Sequence, residues 1–195
     1  MNVGSIPFGR GIPYRLQLAL SYGLFGLLFG GLLVLDLQRI DARMDFIARG
    51  RGADLFGLIE LARDWNASHK GVYVPVTAAT QPNPYLDHPE RDLTATNGTK
   101  LTLVNPAFMT RQIGELAERT EGIKLHITSL KPIRPANRPE PWEEEALRSF
   151  EHGSKEVLRL VEEGGVPVFR YMAPLQVKPA CLHCHAAQGY KVGDV

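Results

Sequence analysis

The feature that most constrains this chain is an uncharged apolar run near its N-terminus, from Leu16 to Leu35. Only three polar residues interrupt the run, and none of them carries a charge. About twenty apolar residues at a helical rise of about 1.5 Å match a hydrocarbon core of about 30 Å. We therefore expect a transmembrane helix over residues 16–37.

A cleaved signal peptide is the alternative explanation for this run. The run is longer than a typical signal-peptide core, and Leu35-Asp36-Leu37 offers no pair of small residues for cleavage. Arg10 and Arg15 precede the span, whereas acidic and basic residues alternate after it, so residues 1–15 are expected to stay in the cytoplasm. The sequence predicts a single-pass anchor in the inner (cytoplasmic) membrane, with the rest of the chain in the periplasm.

Within the span, Gly26 and Gly30 form a GxxxG pattern. This pattern allows two membrane helices to approach closely, although glycine is also common in membrane helices without a partner. The chain is therefore a candidate homodimer.

After the span, apolar residues recur at steps of three, four or seven, which predicts an amphipathic helix over residues 38–70. These residues are Ile40, Met44, Ile47, Leu55, Leu58, Ala62 and Trp65. Arg51 occupies a position where the pattern calls for an apolar side chain, and Gly50 and Gly52 flank it. The three residues predict a hinge or a break in the helix.

The region 71–195 mixes helix and strand signals. Asn105 and Pro106 predict a helix start, with Gly122 as the stop. Two further helices are expected, one over residues 142–150 and one from Ser154 to Gly164. Alternating or β-branched residues predict strands over 72–76, 123–128 and 166–177, and the stretch 81–98 reads as a long loop. These elements indicate an α+β domain with a mostly antiparallel sheet flanked by helices.

The chemistry lies at the C-terminus, where Cys181, Cys184 and His185 form a CxxCH motif that contains both cysteines of the chain. Two thiols at this spacing add to the two vinyl groups of one haem, and the adjacent histidine binds the iron as an axial ligand. A structural zinc site and a redox-active thiol pair are the alternatives. Zinc would need a second pair of ligands, and the other histidines are single and scattered, at positions 69, 88, 126 and 152.

A six-coordinate haem usually takes methionine or histidine as its second axial ligand. The candidates here are Met109, Met172, His126 and His69. Met109 lies on the apolar face of its predicted helix, and His126 lies opposite Leu125 on a predicted strand. Spacing alone leaves all four open.

Composition excludes some classes of function. The 22 basic and 21 acidic residues give a net charge of +1, so no basic excess is present to hold nucleic acid. Glu143, Glu144 and Glu145 are consecutive, so on a helix they point to different sides and read as a solvated first turn. We assign no catalytic activity to this chain.

Ordered short motifs add a family resemblance. They are Asn105-Pro-Ala-Phe-Met-Thr-Arg-Gln, His126-Ile-Thr-Ser-Leu-Lys-Pro, Pro135-Ala-Asn-Arg-Pro, Trp142-Glu with Ala146-Leu147 and Phe150-Glu151, Tyr171-Met-Ala-Pro-Leu, and Cys181-Leu-His-Cys-His. Over about residues 40–195 the chain resembles the PAS-like c-type haem sensor family, formerly a domain of unknown function. The resemblance implies a PAS-like fold over residues 71–195 with one covalently bound haem c.

The resemblance also implies an N-terminal anchor, a periplasmic haem domain and an output module such as a histidine kinase. It places the distal iron ligand on the helix before the His-Thr-Ser strand, which ranks Met109 above His126 and Met172. A thiolate distal ligand, used by some relatives, would need a third cysteine. Family members continue past the position of Val195 into another strand, so we expect a fragment of a longer receptor or a form without an output module.

Two functions follow as hypotheses. The first is a membrane-anchored sensor of redox state or of a diatomic gas, with residues 38–70 as its membrane-proximal signalling helix. The alternative is a membrane-tethered monohaem electron carrier. A haem-free binding module is a third interpretation.

Overall fold

The computed structural model describes residues 13–195, and two compact units divide the chain after Ile47. Residues 1–12, with Arg10 and most of the expected cytoplasmic segment 1–15, lie outside the described residues. The helices are α1 (Tyr14–Ser68), α2 (Pro106–Glu121), α3 (Pro141–Glu151) and α4 (Leu182–His185). The strands are β1 (Val72–Pro75), β2 (Asp92–Thr94), β3 (Lys100–Val104), β4 (Val157–Glu163) and β5 (Val166–Met172). Short 3-10 turns cover Pro135–Asn137, Pro179–Cys181 and Ala186–Gln188.

Helix α1 confirms the apolar helix expected over residues 16–37. Within the part of the chain that the structure describes, it is the one helix long and apolar enough to cross a membrane. Such a segment satisfies its backbone hydrogen bonds internally, as a hydrocarbon environment requires.

The break expected around Arg51 is wrong, because α1 continues through both flanking glycines. At Gly52 the missing side chain makes room for the ring of Tyr171. A Cβ placed at Gly52 would lie 2.7 Å from Tyr171 Cβ, which is too close for any side chain. Glycine serves here for close packing and not for a hinge.

In the second unit, the side of α1 that faces the domain differs from the apolar pattern in the sequence. Five of its half-buried or buried residues follow one another at steps of three or four, and we call them the docked stripe: Gly52, Phe56, Ile59, Arg63 and Asn66. The predicted apolar residues Leu58 and Trp65 are instead 63% and 56% exposed. The strongest apolar pattern of this helix therefore points away from its own domain.

The first sheet has the order β1-β3-β2 and is antiparallel throughout. Val72 pairs with Val104, and Asp92 pairs with Thr102. Strand β1 confirms the strand expected over 72–76. Strand β2 falls inside the expected loop 81–98, which is a correction to that prediction. Strand β3 has no predicted counterpart, although it supplies the buried residues of the sheet, because its short apolar run merges with the start of the next helix.

Helix α2 has the ends that its sequence predicts. The Asn105 side chain accepts a hydrogen bond from the Phe108 N–H at 3.0 Å, and Pro106 occupies the first turn. Gly122 ends the helix with φ 68°, a left-handed conformation that glycine adopts without a Cβ penalty. The helix expected from Asn105 to Gly122 is confirmed.

The helix expected from Ser154 to Gly164 is wrong, since residues 157–163 form strand β4. Strand β4 pairs with β5 in a hairpin whose turn is Gly164-Gly165, with φ 61° and 83°. Two adjacent glycines with positive φ are typical of a two-residue hairpin turn, and here they outweigh the helix-stop interpretation. Strand β5 ends at Met172, five residues earlier than expected, because Pro174 cannot donate to a ladder.

The strand expected over 123–128 is also wrong, because that segment joins neither sheet. Its alternation still reflects packing, since Leu125 lies against α2 and a Cβ built at Gly114 would be 3.2 Å from Leu125 Cβ. Helix α3, predicted over 142–150, is confirmed. It supplies the buried apolar cluster of Ala146, Leu147 and Phe150, against which Leu130, Val157, Met172 and Val195 pack.

The domain therefore combines helices with two small antiparallel sheets, and a long apolar helix precedes it. This confirms the α+β class expected from the sequence.

Candidate functional site

The cysteine motif lies on a single helical turn. The 3-10 turn Pro179–Cys181 leads into α4, Leu182–His185. Residues three and four apart share a face of a helical turn, so the spacing brings positions 181, 184 and 185 to one side. The Cys181 thiol is free and half-buried, and the Cys184 side chain lies outside the described part of the chain.

His185 is held by a neighbour that the sequence prediction missed. Its Nδ1 lies 2.5 Å from Gln188 Oε1. Gln188 Nε2 donates to the Lys131 carbonyl at 2.9 Å, which fixes the amide so that its oxygen faces the imidazole. In the neutral imidazole, Nδ1 then donates to Gln188 Oε1, which leaves on Nε2 the lone pair that a metal requires. Among the described residues, none forms a hydrogen bond with this Nε2.

The edge of Tyr190 completes the surroundings of His185. The two ring centroids are 5.8 Å apart and the ring planes make an angle of 84°. An edge-on aromatic contact restricts rotation of the imidazole without occupying a ring nitrogen. The orientation of His185 is therefore fixed from two sides.

An open cavity of about 530 Å³ lies beside these residues. Leu130, Leu147 and Phe150 line one part of it, while Gln188 and Tyr190 link it to His185. Charged and polar side chains such as Lys131 and Asp194 line the rest, so the walls of this open cavity are mixed in polarity.

Lys178 connects α1 to the segment that carries the CxxCH motif, residues 173–185, which we call the motif segment. Its Nζ contacts Asp64 Oδ2 at 2.7 Å and Glu60 Oε1 at 3.1 Å. Hydrogen bonds to these two carboxylates raise the pKa of Lys178, so its ammonium stays charged. The Lys178 backbone N–H donates to Cys181 Sγ at 3.4 Å, which orients the first cysteine of the motif.

Arg63 is the second residue that the sequence prediction missed. Its Nη1 donates to the Pro106 carbonyl at 3.4 Å and to Thr110 Oγ1 at 3.3 Å, which joins α1 to the first turn of α2. Burial lowers the pKa of Arg63, and the charges of Cys181, Asp64 and Glu60 partly offset that effect. Only its i+4 and i+7 spacing from Ile59 and Phe56 could have indicated an inward orientation.

The structure places the candidate distal ligands in different surroundings. Met109 is half-buried in the turn of α2 that binds Arg63. Met172 is half-buried at the end of β5 and packs against the apolar cluster of α3. His69 is exposed and its Nδ1 lies 2.8 Å from the Trp65 carbonyl.

His126 is engaged through both ring nitrogens. Nδ1 lies 2.8 Å from Glu143 Oε1, and Nε2 lies 3.4 Å from the Ala136 carbonyl. The hydrogen bond to the buried Glu143 raises the pKa of His126, although burial opposes this. His126 therefore has a structural role already, and ligation of iron through Nε2 would require the 3.4 Å contact with the Ala136 carbonyl to break.

A family model described as Tll0287-like (Tll0287) matches residues 60–195, which is more than half of the chain. Comparisons with curated proteins and with solved structures give no match. The matched residues begin within the docked stripe of α1 and include the whole motif segment. This chain therefore belongs to the Tll0287-like family, which is known as a c-type haem domain.

Proposed function

We propose that this chain is a membrane-anchored, periplasmic sensory domain that carries one covalently bound haem c and senses redox state or a diatomic gas. The observation that carries the proposal is the arrangement of the motif: a CxxCH turn whose histidine is fixed by Gln188 with Nε2 free of hydrogen bonds to described residues. A metal-binding histidine commonly donates its other nitrogen in this way, which sets its tautomer and orientation.

The residues of the motif fit a haem c. The Cys181 and Cys184 thiols would each add across one vinyl group: the S–H bond and the vinyl π bond break, S–C and C–H bonds form, and no external oxidant or reductant is needed. When bound, the haem would supply an iron that exchanges an electron or a small ligand. His185 would bind that iron through Nε2.

Met109 is the proposed distal ligand, with His126 and then Met172 as alternatives. Its support is position: it belongs to the α2 turn joined to Arg63, and the same stretch of α1 is bound by Lys178, three residues before Cys181.

The sensory role is supported by how the motif segment contacts α1. Lys178 binds Glu60 and Asp64, and Arg63 joins the same stretch of α1 to α2. A change in ligation at His185 or Met109 would alter the forces on residues 60–66, which belong to the helix that continues toward the N-terminal span. A PAS-like fold, a cytoplasmic N-terminus and an output such as a histidine kinase complete the proposal.

The first experiment tests covalent attachment. The full chain is expressed in a periplasm with cytochrome c maturation, and membranes are stained for haem on a denaturing gel. We expect haem on the wild-type chain and on His183→Ala, the matched control, since His183 is an exposed residue within the motif. Cys181→Ala and Cys184→Ala together should abolish the stain. A chain that carries no haem while a control cytochrome matures would overturn the proposal.

The second experiment separates a sensor from an electron carrier. Reduced chain is exposed to carbon monoxide, and the absorption spectrum is recorded. Ready binding supports the sensor, whereas complete inertness of the reduced iron supports the carrier. Met109→Leu should convert the spectrum to a five-coordinate or misligated form, while Met172→Leu serves as the matched control. An unchanged spectrum for Met109→Leu would refute that ligand.

A further inference from the structure

The outward side of α1 in the second unit carries an apolar surface that its own domain leaves uncovered. We call the residues at positions 51, 54, 58, 61 and 65 the outward stripe. Leu58, Leu61 and Trp65 are 63%, 66% and 56% exposed, and Arg51 and Asp54 are exposed as well. Three large apolar side chains in succession on one side of a helix are more than scattered surface exposure.

The spacing of the outward stripe is the first indication of its partner. Its positions follow steps of three, four, three and four, which is the a/d pattern of a two-stranded coiled coil. The docked stripe already satisfies the packing of this helix on its domain, with Phe56, Ile59 and Asn66 turned inward. The helix therefore has a second seam of the kind that pairs with another helix.

The charges within the outward stripe identify that helix. Arg51 and Asp54 interrupt the apolar seam, and within the described residues neither forms a salt bridge. In a parallel pair of identical helices, Arg51 faces the Arg51 of the other copy and Asp54 faces the other Asp54. The two layers are adjacent, so their opposite charges attract across the pair and offset the repulsion within each layer. Like-charged or uncharged partners would leave one of them unpaired at the seam.

We propose that the outward stripe is a parallel self-association surface, and that its partner is a second copy of this chain. Anchoring in one membrane gives the two copies the same direction, which the parallel arrangement requires. The pairing then brings Leu58, Leu61 and Trp65 against the same residues of the other copy. The two charged layers, Arg51 and Asp54, fix the alignment of the two helices. This surface is independent of haem binding.

The test is the oligomeric state of the full chain, measured by sedimentation in detergent and by single-molecule photobleaching in lipid discs. We expect a dimer for the wild type. Arg51→Asp places four acidic groups in two adjacent layers, and Leu61→Asp places two acidic groups in a layer that is apolar in the wild type, so each should raise the dimer dissociation constant by about tenfold or more. Leu116→Asp is the matched control, because Leu116 is an exposed leucine on another helix.

The double variant Arg51→Asp with Asp54→Arg restores opposite charges and should return the dissociation constant to within about threefold of the wild type. Only self-pairing predicts this rescue. A monomeric wild type overturns the proposal and leaves the surface to a different protein. A dimer that Arg51→Asp and Leu61→Asp leave intact also overturns it, since the membrane span would then hold the copies together. Circular dichroism of each variant confirms that the fold is retained.

Discussion

Two regions of the second unit differ in how they are held: residues 49–66 of α1 and the C-terminal segment 173–195. Along α1, Asn66 is fully buried with its Nδ2 donating to the Val104 carbonyl at 3.0 Å, and Gly52 fits against Tyr171. In the C-terminal segment none of the side chains that the structure describes is fully buried. That segment is held by ion pairs of Lys178 and by hydrogen bonds such as the one from Gln188 to Lys131.

The difference indicates that one part of this domain is rigidly packed and another part is held by weaker contacts. Close steric fit and buried hydrogen bonds allow one arrangement only, because any displacement leaves a clash or an unpaired polar group. Exposed ion pairs are weak and tolerate displacement. We therefore expect the segment that carries the CxxCH turn to be displaced more easily than residues 49–66 of α1, as the proposed sensory role requires.

The largest effect on this comparison is expected from Gly52→Ala. The added Cβ overlaps the base of the Tyr171 ring, whose hydroxyl is held by Glu156 at 2.9 Å, so the ring cannot easily move away. We expect a loss of about 1–3 kcal/mol in the free energy of unfolding, measured by urea denaturation.

Gly57→Ala is the matched control for that prediction, since no atom lies within 4 Å of its added Cβ. It should stabilise the helix by about 0.5–1 kcal/mol through helix propensity alone. Equal effects of the two substitutions would show that α1 is not packed closely at Gly52.

Asn66→Ala should have the next largest effect. It removes the hydrogen bond to the Val104 carbonyl and leaves that carbonyl buried without this partner. The expected cost is about 1–2 kcal/mol, moderated because the buried Oδ1 of Asn66 has no hydrogen-bond partner among the described residues. Thermal unfolding against Asn97→Ala, in an exposed turn, isolates this cost. An unchanged unfolding temperature for Asn66→Ala would mean that the end of α1 is held no more tightly than the motif segment.

The ion pair of His126 and Glu143 lies between the buried contacts of α1 and the exposed ion pairs of Lys178, because its histidine is exposed and its carboxylate is buried. Glu143 raises the pKa of folded His126 above its usual 6.5. The stabilisation is therefore complete below about pH 6.5 and is lost as pH rises through the folded pKa. We expect a decrease of at most about 1 kcal/mol by about pH 8.5.

The variant His126→Gln should abolish this pH dependence, whereas His152→Gln, on the opposite end of α3, should retain it. Unfolding free energies at several pH values provide the measurement. A wild-type stability that rises over the same pH range would contradict the assignment.

The smallest effect is expected for Lys178→Met, with at most about 0.5 kcal/mol lost because the pair is exposed and screened by salt. Its local effect should be larger: hydrogen exchange over residues 173–185 should accelerate, and the difference from the wild type should shrink at high salt. Lys155→Met, another exposed lysine, should leave that exchange unchanged.

The sequence correctly predicted the elements whose ends and length depend only on residues close by in the chain. The cap at Asn105, the stop at Gly122 and the apolar span of α1 depend on neighbouring residues only. The two wrong elements depend on tertiary context: residues 123–128 lack a strand to pair with, and residues 157–163 become a strand because Gly164-Gly165 brings β5 alongside. The side of α1 that packs on the domain could not be predicted from hydrophobic periodicity, because three of its residues, Gly52, Arg63 and Asn66, are not apolar.

Of the candidate site, the sequence predicted the motif residues, because their spacing is itself the signal. Gln188 and Arg63 escaped prediction since their importance lies in a hydrogen bond to Lys131 and in contacts with α2, both distant in sequence. The distal ligand stays a prediction, with Met109 first.

The glycine pair at the tip of the β4–β5 hairpin also bears on the order of assembly. Its strands are adjacent in sequence, so closing the turn costs little chain entropy, whereas β1 and β3 meet only after the intervening stretch from Val76 to Thr99 is closed. Strand pairings between neighbouring segments form early in folding, before pairings that close long loops. Substitutions at Gly164 should therefore slow folding, and those at Asn66 should mainly speed unfolding, so the surface that receives α1 exists before the helix docks on it.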